Sequence, residues 1–340
     1  MKRLIMQWHI TKRCNKRCKH CYQDSYEGSE FSIEELINYG EQYLKLLIEY
    51  NKINNQNLKG QVNITGGEPF VREDIWELLD YFKKNSEYFD FGILTNGSFL
   101  DDENVKRLKK YNPKMVQVSL DGRRETHDKI RGVNSYDEVI KSLKLLNKYD
   151  IKALVSFTAN NKNYKEFGDV VRVAKRCKVY KVWTDRMVSI GLGNNAEVKT
   201  LNKEQVIEYI NLISREQSSL INKISKTIIS GERSLQFLNG ISDCYKCSAG
   251  DGLIVLLENG DVMPCRRLPI VAGNIKERSL KDIYFEAKIF KELQNFKQIP
   301  KGCSKCDFLN LCNGGAKCIS FGIYGSYKYG DYGCMIRDEI

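Results

Sequence analysis

The chain has 340 residues, 42% of them apolar and 29% charged, enough for one large α/β domain with an appendage of about 100 residues. Its longest apolar runs, LLI at 46–48 and LIVLL at 253–257, fall far short of the roughly 20 residues that a membrane span needs. The basic N-terminus is interrupted by Gln7 and His9, so no secretory apolar segment runs through it, and a cytoplasmic protein with no membrane partner is expected. The formal net charge is +11, but 54 Lys and Arg are scattered among 43 acidic residues. That pattern reads as a lysine-rich solvated surface and does not favour a nucleic-acid partner; it would suit an acidic peptide or an acidic electron carrier. Twelve cysteines in a chain without an export signal point to thiolates held for metal, since reducing compartments disfavour structural disulfides. There are three histidines, and of these His20 alone lies beside cysteines, which leaves mixed Cys/His zinc chemistry little to work with.

Short β-branched runs alternate with helical patterns from residue 3 to about 185, as in parallel βα units. Strands are expected at 4–10, 61–65, 91–95, 115–120, 152–158 and 179–184, with helices near 32–50, 72–85, 101–110, 135–149 and 163–176. Ser32, Asp101 and Ser135 are cap candidates. The spacing suits a barrel-like or a doubly wound sheet, whose sites gather at the C-terminal ends of the strands. A glycine-bearing loop at 191–197 and a polar helical stretch at 202–227 read as a bridge. Asn259-Gly260 between two apolar runs signals a hairpin, a helix is expected at 279–294, and eight of the twelve cysteines fall between 244 and 334. The last 40 residues have too few apolar side chains for a core of their own, so metal binding is expected to hold them folded. The expected organisation is 1–190 for the α/β domain, 191–240 for the bridge and 241–340 for a cysteine-bound module.

Three thiols follow the first strand as Cys14-X3-Cys18-X2-Cys21. They are close enough in sequence to ligate one iron–sulfur cube, with no fourth cysteine nearby, which would leave one iron open to a substrate or cofactor. The alternative is a partial zinc knuckle, although structural zinc sites are closed by four ligands. After the second strand comes Gly66-Gly67-Glu68-Pro69, where two glycines permit close backbone approach to a small molecule and a carboxylate can accept a charged hydrogen bond.

With these two motifs at one end of one sheet, residues 4 to about 185 resemble the radical S-adenosylmethionine enzymes. The resemblance implies a partial (β/α)6 TIM-like barrel in which Cys14, Cys18 and Cys21 hold a [4Fe-4S] cluster whose open iron is chelated by S-adenosylmethionine. It implies that Gly66, Gly67 and Glu68 meet the methionyl amino group and that His20 faces the adenine. The segment Ser119-Leu120-Asp121-Gly122 with His127 to Arg131 looks like the fourth-strand region of the peptide-modifying branch. By that likeness Ser119 meets the nucleoside or methionyl part, and Arg131 its carboxylate.

The C-terminal cysteines look like a SPASM domain, a small cysteine-rich extension that carries auxiliary clusters. Five residues separate Cys312 from Cys318 where that pattern has three. The resemblance assigns Cys244, Cys247, Cys265 and Cys318 to one auxiliary [4Fe-4S] cluster and Cys303, Cys306, Cys312 and Cys334 to another, three clusters in all, leaving Cys177 as a buried hydrophobe. Taken alone, the same cysteines also describe two zinc sites.

The implied activity is an oxidoreductase that generates a 5′-deoxyadenosyl radical and modifies a ribosomally synthesised peptide, forming a thioether or other side-chain crosslink. Its partners would be the precursor peptide, a low-potential flavodoxin- or ferredoxin-type donor and, because the chain starts just before the first strand, a separate leader-binding protein. Sulfatase maturation to formylglycine is the nearest alternative, but Arg266 stands after Cys265 where those enzymes carry a catalytic aspartate. A dehydrogenase or epimerase of the same superfamily is a further alternative. From another class, a zinc-ribbon RNA-binding protein would bind RNA in a salt-sensitive way.

Overall fold

The computed structural model describes residues 3–195, 197–231, 233, 235–240, 244–295 and 297–337. Ala196 of the expected loop and residues 241–243 at the start of the expected C-terminal module lie outside them. The strands are β1 (Ile5–His9), β2 (Gly60–Thr65), β3 (Phe89–Thr95), β4 (Met115–Ser119), β5 (Ala153–Ala159), β6 (Lys181–Arg186), β7 (Ile228–Ser230), β8 (Leu253–Leu256), β9 (Asp261–Met263) and β10 (Gly273–Asn274). They form one sheet in the order β10-β9-β8-β1-β2-β3-β4-β5-β6-β7. Pairing is parallel from β8 through β1 to β7, and β9 and β10 are antiparallel additions at one edge.

Helices alternate with the first strands: α1 (Ile33–Ile53), α2 (Ile75–Lys84), α3 (Asp102–Lys109), α4 (Arg124–Arg131), α5 (Ser135–Lys148), α6 (Phe167–Arg176) and α7 (Lys203–Ser218). Ser32 closes a capping box with Glu35, and Asp101 accepts from the Asn104 amide at 2.8 Å, so both starts follow from the sequence. Ser135 is the first residue of α5, and the cap is Asn134. The expected helix at 202–227 stops at Ser218, with a short α8 (Leu220–Ile224) and then β7. The expected helix at 279–294 is broken at Ala287 into α9 (Leu280–Glu286) and α10 (Lys288–Gln294), because Ala287 adopts an extended conformation.

One face of the sheet packs on the helices. Met6 and Trp8 are fully buried there, and Trp8 meets Phe82 edge-on at 6.2 Å within a cluster that includes Phe89 and Phe91. The opposite, inner face is half-buried and polar: Gln7, Asn63, Gln117, Ser119, Thr158 and Trp183 alternate with buried apolar residues along their strands. Parallel strands covered on both faces read as continuous apolar runs. The alternation here therefore marks a barrel wall whose inner side is open.

The C-terminal segment joins this wall directly. β8 lies beside β1, with Ile5 opposite Leu253 and Trp8 opposite Leu256. The Asn259-Gly260 turn that leads to β9 uses Gly260 at φ 97°, as the dipeptide predicts. Further on, Asp331 accepts from both terminal nitrogens of Arg186, at the end of β6, at 2.8 and 2.6 Å, with each side chain 1% exposed. Breaking a buried, bidentate ion pair leaves the partner charge uncompensated. Asp331→Ala is expected to cost about 3–5 kcal/mol in denaturant titration of the anaerobic protein; an unchanged midpoint would mean that Arg186 does not depend on it.

Candidate active site

The cysteine loop leaves β1 and turns over the C-terminal ends of the strands. Cys14, Cys18 and Cys21 are partly exposed, and their thiols lie close enough to influence one another's ionisation. Burial raises Cys14 and pushes Cys18 up to about 11, so both are neutral thiols until a metal displaces their protons. Donors already face the sulfurs: the Lys16 amide lies 3.4 Å and Asn96 Nδ2 3.9 Å from Cys14, and Arg131 Nη1 lies 3.7 Å from Cys18. These fit the residues to a thiolate-held cluster, whose negative charge such donors stabilise.

Gly66 and Gly67 approach the chain's own backbone. A Cβ on Gly66 would lie 2.3 Å from the Thr11 carbonyl oxygen and one on Gly67 2.2 Å from that of Arg13, while the Gly67 and Glu68 amides donate to those same carbonyls at 2.8 and 2.9 Å. The glycines thus clamp the second-strand loop to the base of the cysteine loop. Glu68 is fully buried. Its carboxylate accepts from the Thr95 hydroxyl at 2.8 Å, the Asn96 amide at 2.7 Å and the Phe70 amide at 3.3 Å, with no cationic partner among the described residues. Burial raises it to about 7, against the lowering effect of those bonds. A buried carboxylate held by neutral donors beside the thiols is suited to an incoming ammonium group.

Asp121, fully buried, ties the other wall together. Its Oδ2 accepts from His20 Nε2 at 2.9 Å and Arg131 Nε at 2.5 Å, and its Oδ1 accepts from the Thr158 amide at 2.9 Å. Burial alone would raise it, but the Arg131 guanidinium and His20 pull it well below the ordinary carboxylate range. His127 Nδ1 accepts from the Asp121 amide at 3.0 Å, so the proton sits on Nε2, and burial with Arg131 lowers this imidazole to about 4. His20 and Arg131, expected to touch S-adenosylmethionine, therefore share one carboxylate that fixes both. Ser119 ends β4 on the inner face. In the sequence Asp121 stands only as part of the segment that resembles the fourth-strand region, and no local signal marks the carboxylate as a hub. The 191–195 turn, expected to be part of a bridge, holds the far end of the cysteine loop: Gly193 N donates to Cys21 O and Leu192 N to Gln23 O, both at 2.8 Å.

In the C-terminal segment, Cys303, Cys306, Cys312 and Cys334 line one cavity with Phe237, Phe308 and Arg337. Cys247 and Cys265 share an apolar cluster with Leu268 and Tyr327, and Cys318 faces Cys265. The Cys244 thiol is hydrogen-bonded with that of Cys312 and faces Cys306. Cys177 packs in the main core.

Residues 8–178 match the family model described as the Radical SAM superfamily, and 247–307 match SPASM, an iron-sulfur cluster-binding domain. The chain belongs to the radical SAM superfamily and is an enzyme that uses iron–sulfur clusters and S-adenosylmethionine, with a cysteine-rich C-terminal SPASM domain. It is 25% identical to Fe-coproporphyrin III synthase of Methanosarcina barkeri, over 99% of this chain and 89% of that one. To the antilisterial bacteriocin subtilosin biosynthesis protein AlbA of Bacillus subtilis it is 29% identical, over 90% of this chain and 66% of that one. The structure of SuiB from Streptococcus suis, bound to its precursor peptide SuiA, superposes with a TM-score of 0.76 at 19% identity, covering 98% of this chain and 76% of that one. That likeness gives the fold.

Glu68 holds its proton more tightly in the folded chain than its ordinary value of 4.5 allows, so folding is favoured below that pH and loses stability as pH rises through about 7. Without S-adenosylmethionine the melting temperature is expected to fall across that window, and Glu68→Gln to flatten the fall; an identical slope in the variant would assign it elsewhere. Asp121→Asn leaves Arg131 buried without its counter-charge, at about 3–5 kcal/mol, and is expected to lower the iron retained after anaerobic reconstitution. Parental stability and iron content would rule the hub out.

Proposed function

We propose that this enzyme matures a ribosomally made peptide, joining a side chain of the precursor through a thioether or another crosslink. The observation that carries this reading is the inner face of the sheet, where Gln7 and Asn63 are paired neighbours and Gln117 lies two strands further along, all three half-buried. Amide side chains both donate and accept, which suits the alternating groups of an extended peptide backbone. The likeness to the subtilosin biosynthesis protein supports it.

On this reading Cys14, Cys18 and Cys21 hold the open cluster, and His20, Gly66, Gly67, Glu68, Ser119 and Arg131 surround S-adenosylmethionine. Cys247, Cys265 and Cys318, joined by Cys244 on the resemblance alone, and the group of Cys303, Cys306, Cys312 and Cys334 would hold two auxiliary clusters, three in all. When bound, these groups supply reductive cleavage of a sulfonium, abstraction of a hydrogen atom and a sink for the second electron. The chain's own part is to receive an ammonium on Glu68, to present the His20 ring at the orientation Asp121 fixes, and to neutralise thiolate charge through Arg131. A flavodoxin- or ferredoxin-type protein would supply electrons, and a separate protein could present the leader.

A second reading, an iron tetrapyrrole as substrate, is favoured by the near-complete alignment with Fe-coproporphyrin III synthase. Formylglycine formation is disfavoured: Arg266 follows Cys265, and the carboxylates of Glu258 and Asp24 both face Lys12, at 3.7 and 3.4 Å.

Anaerobically reconstituted protein is expected to carry about twelve irons and to form 5′-deoxyadenosine with dithionite and S-adenosylmethionine. Replacing Cys14, Cys18 and Cys21 together by Ala should abolish this. A short cysteine-containing peptide encoded beside the gene should then lose about 2 Da, roughly two hydrogens. An unchanged peptide alongside conversion of an iron tetrapyrrole would overturn the peptide assignment in favour of the second reading.

A further inference from the structure

Arg266 is 9% exposed, yet its guanidinium has no hydrogen bond or ion pair among the described residues. It lies 5.2 Å over the ring of Tyr22. Tyr22 follows Cys21 and Arg266 follows Cys265, so this contact spans the gap between the loop at the barrel mouth and the loop of the C-terminal module.

Its neighbours do not satisfy it. Arg267 and Arg233 both reach Asp185, at 2.5 and 3.2 Å, and these two are also the arginines that bear on Cys318. They are the counter-charges of the thiol group, whereas Arg266 reaches no carboxylate among the described residues. Glu258 and Asp24 are near enough to be influenced by Arg266, but their ion-pair contacts are to Lys12. Beside Arg266 stands His9, the last residue of β1, 1% exposed, its ring 5.9 Å from that of Tyr22 and its Nε2 buried without a partner. Burial and the Arg266 charge keep this imidazole neutral.

A guanidinium that is mostly buried, with no acceptor from the chain, is open to an anion, and its planar fork matches a carboxylate in a bidentate pair. We propose that Arg266, with His9 beside it, is a carboxylate-binding site at the barrel mouth, so that the substrate presents a carboxylate there while its reacting carbon enters the inner face. The inference rests on the reading of that face as the substrate cavity and adds a chemical class: a carboxylate-bearing substrate, whether an acidic residue or chain end of a peptide or a carboxyalkyl arm of a smaller molecule. Recognition through one fixed cation would select the substrate's orientation as well as its charge.

The test uses the anaerobically reconstituted full chain and saturation-transfer NMR, with propionate as the probe and propionamide as its neutral isostere. Propionate is expected to bind at least tenfold more tightly than propionamide. Arg266→Gln should weaken propionate tenfold or more, and Arg266→Lys, which keeps the charge but loses the fork, should weaken it less; iron content and circular dichroism check that each variant is folded. Equal binding of the two probes, or propionate binding unchanged in Arg266→Gln, would overturn the site. Should Arg266→Gln fail to fold, Arg266→Lys carries the test: unchanged propionate binding there, together with equal binding of both probes to the parent chain, refutes it. None of these readouts needs 5′-deoxyadenosine to form, so a failure here is distinguishable from a failure of the proposed function. With candidate substrates, an ester or amide that turns over as well as the free acid would also contradict it. A peptide arm, lacking or carrying its acidic residue, separates the two sources of the carboxylate from a small-molecule arm.

Discussion

A single buried carboxylate organises the candidate site. Asp121 receives His20 from the cysteine loop, Arg131 from the end of α4 and a backbone amide from β5, so three separate pieces of chain are fixed by one side chain. The cost of burying that charge is offset because Arg131 and His20 both reach it, and because Arg131 in turn faces the Cys18 sulfur. On the opposite wall, Gly66 and Gly67 bring the second-strand loop within backbone hydrogen-bonding distance of Thr11 and Arg13. The loop is thus held at its base by glycines, at its centre by a carboxylate and at its far end by the 191–195 turn. A site in which three thiols must take up one group benefits from such preorganisation.

The same economy joins the two ends of the chain. β1 is the central strand that connects them, paired with β2 on one side and β8 on the other, so the cysteine loop at its end stands between the barrel and the C-terminal cysteines. The Arg186–Asp331 pair fastens the far edge. Sheet pairing and a buried ion pair both specify geometry closely, which matters where groups on separate loops must lie at fixed spacing. The half-open inner face is the complement of this rigidity: the helices cover one side of the wall, and the other is half-buried and polar.

Much of this was legible in the sequence where hydrophobic period or residue spacing is strong. The runs that became β1 to β6, the capping boxes of α1 and the Asn-Gly hairpin follow local rules, and the cysteine and glycine motifs lie where the strand ends put them. The misses share a cause. Helix α4, RETHDKIR, buries only His127 and Ile130, and its periodicity is too faint to see without the carboxylate that anchors it. Strand β7 has three residues and is defined by its pairing to β6. The break at Ala287 lies inside a segment whose composition favours an unbroken helix. The parallel pairing of β8 with β1 joins residues some 250 apart in sequence, and no local pattern encodes it.

On the function proposed, Cys14, Cys18 and Cys21 would hold a cube with one iron free for the amino and carboxylate groups of S-adenosylmethionine. Electron–nuclear double resonance on the reduced enzyme, with S-adenosylmethionine labelled at the methionyl nitrogen and carboxylate oxygen, measures this directly. Hyperfine coupling of both labels to the cluster, lost when the three cysteines are replaced, is the expected result. A reduced cluster that shows no coupling to either label would contradict it.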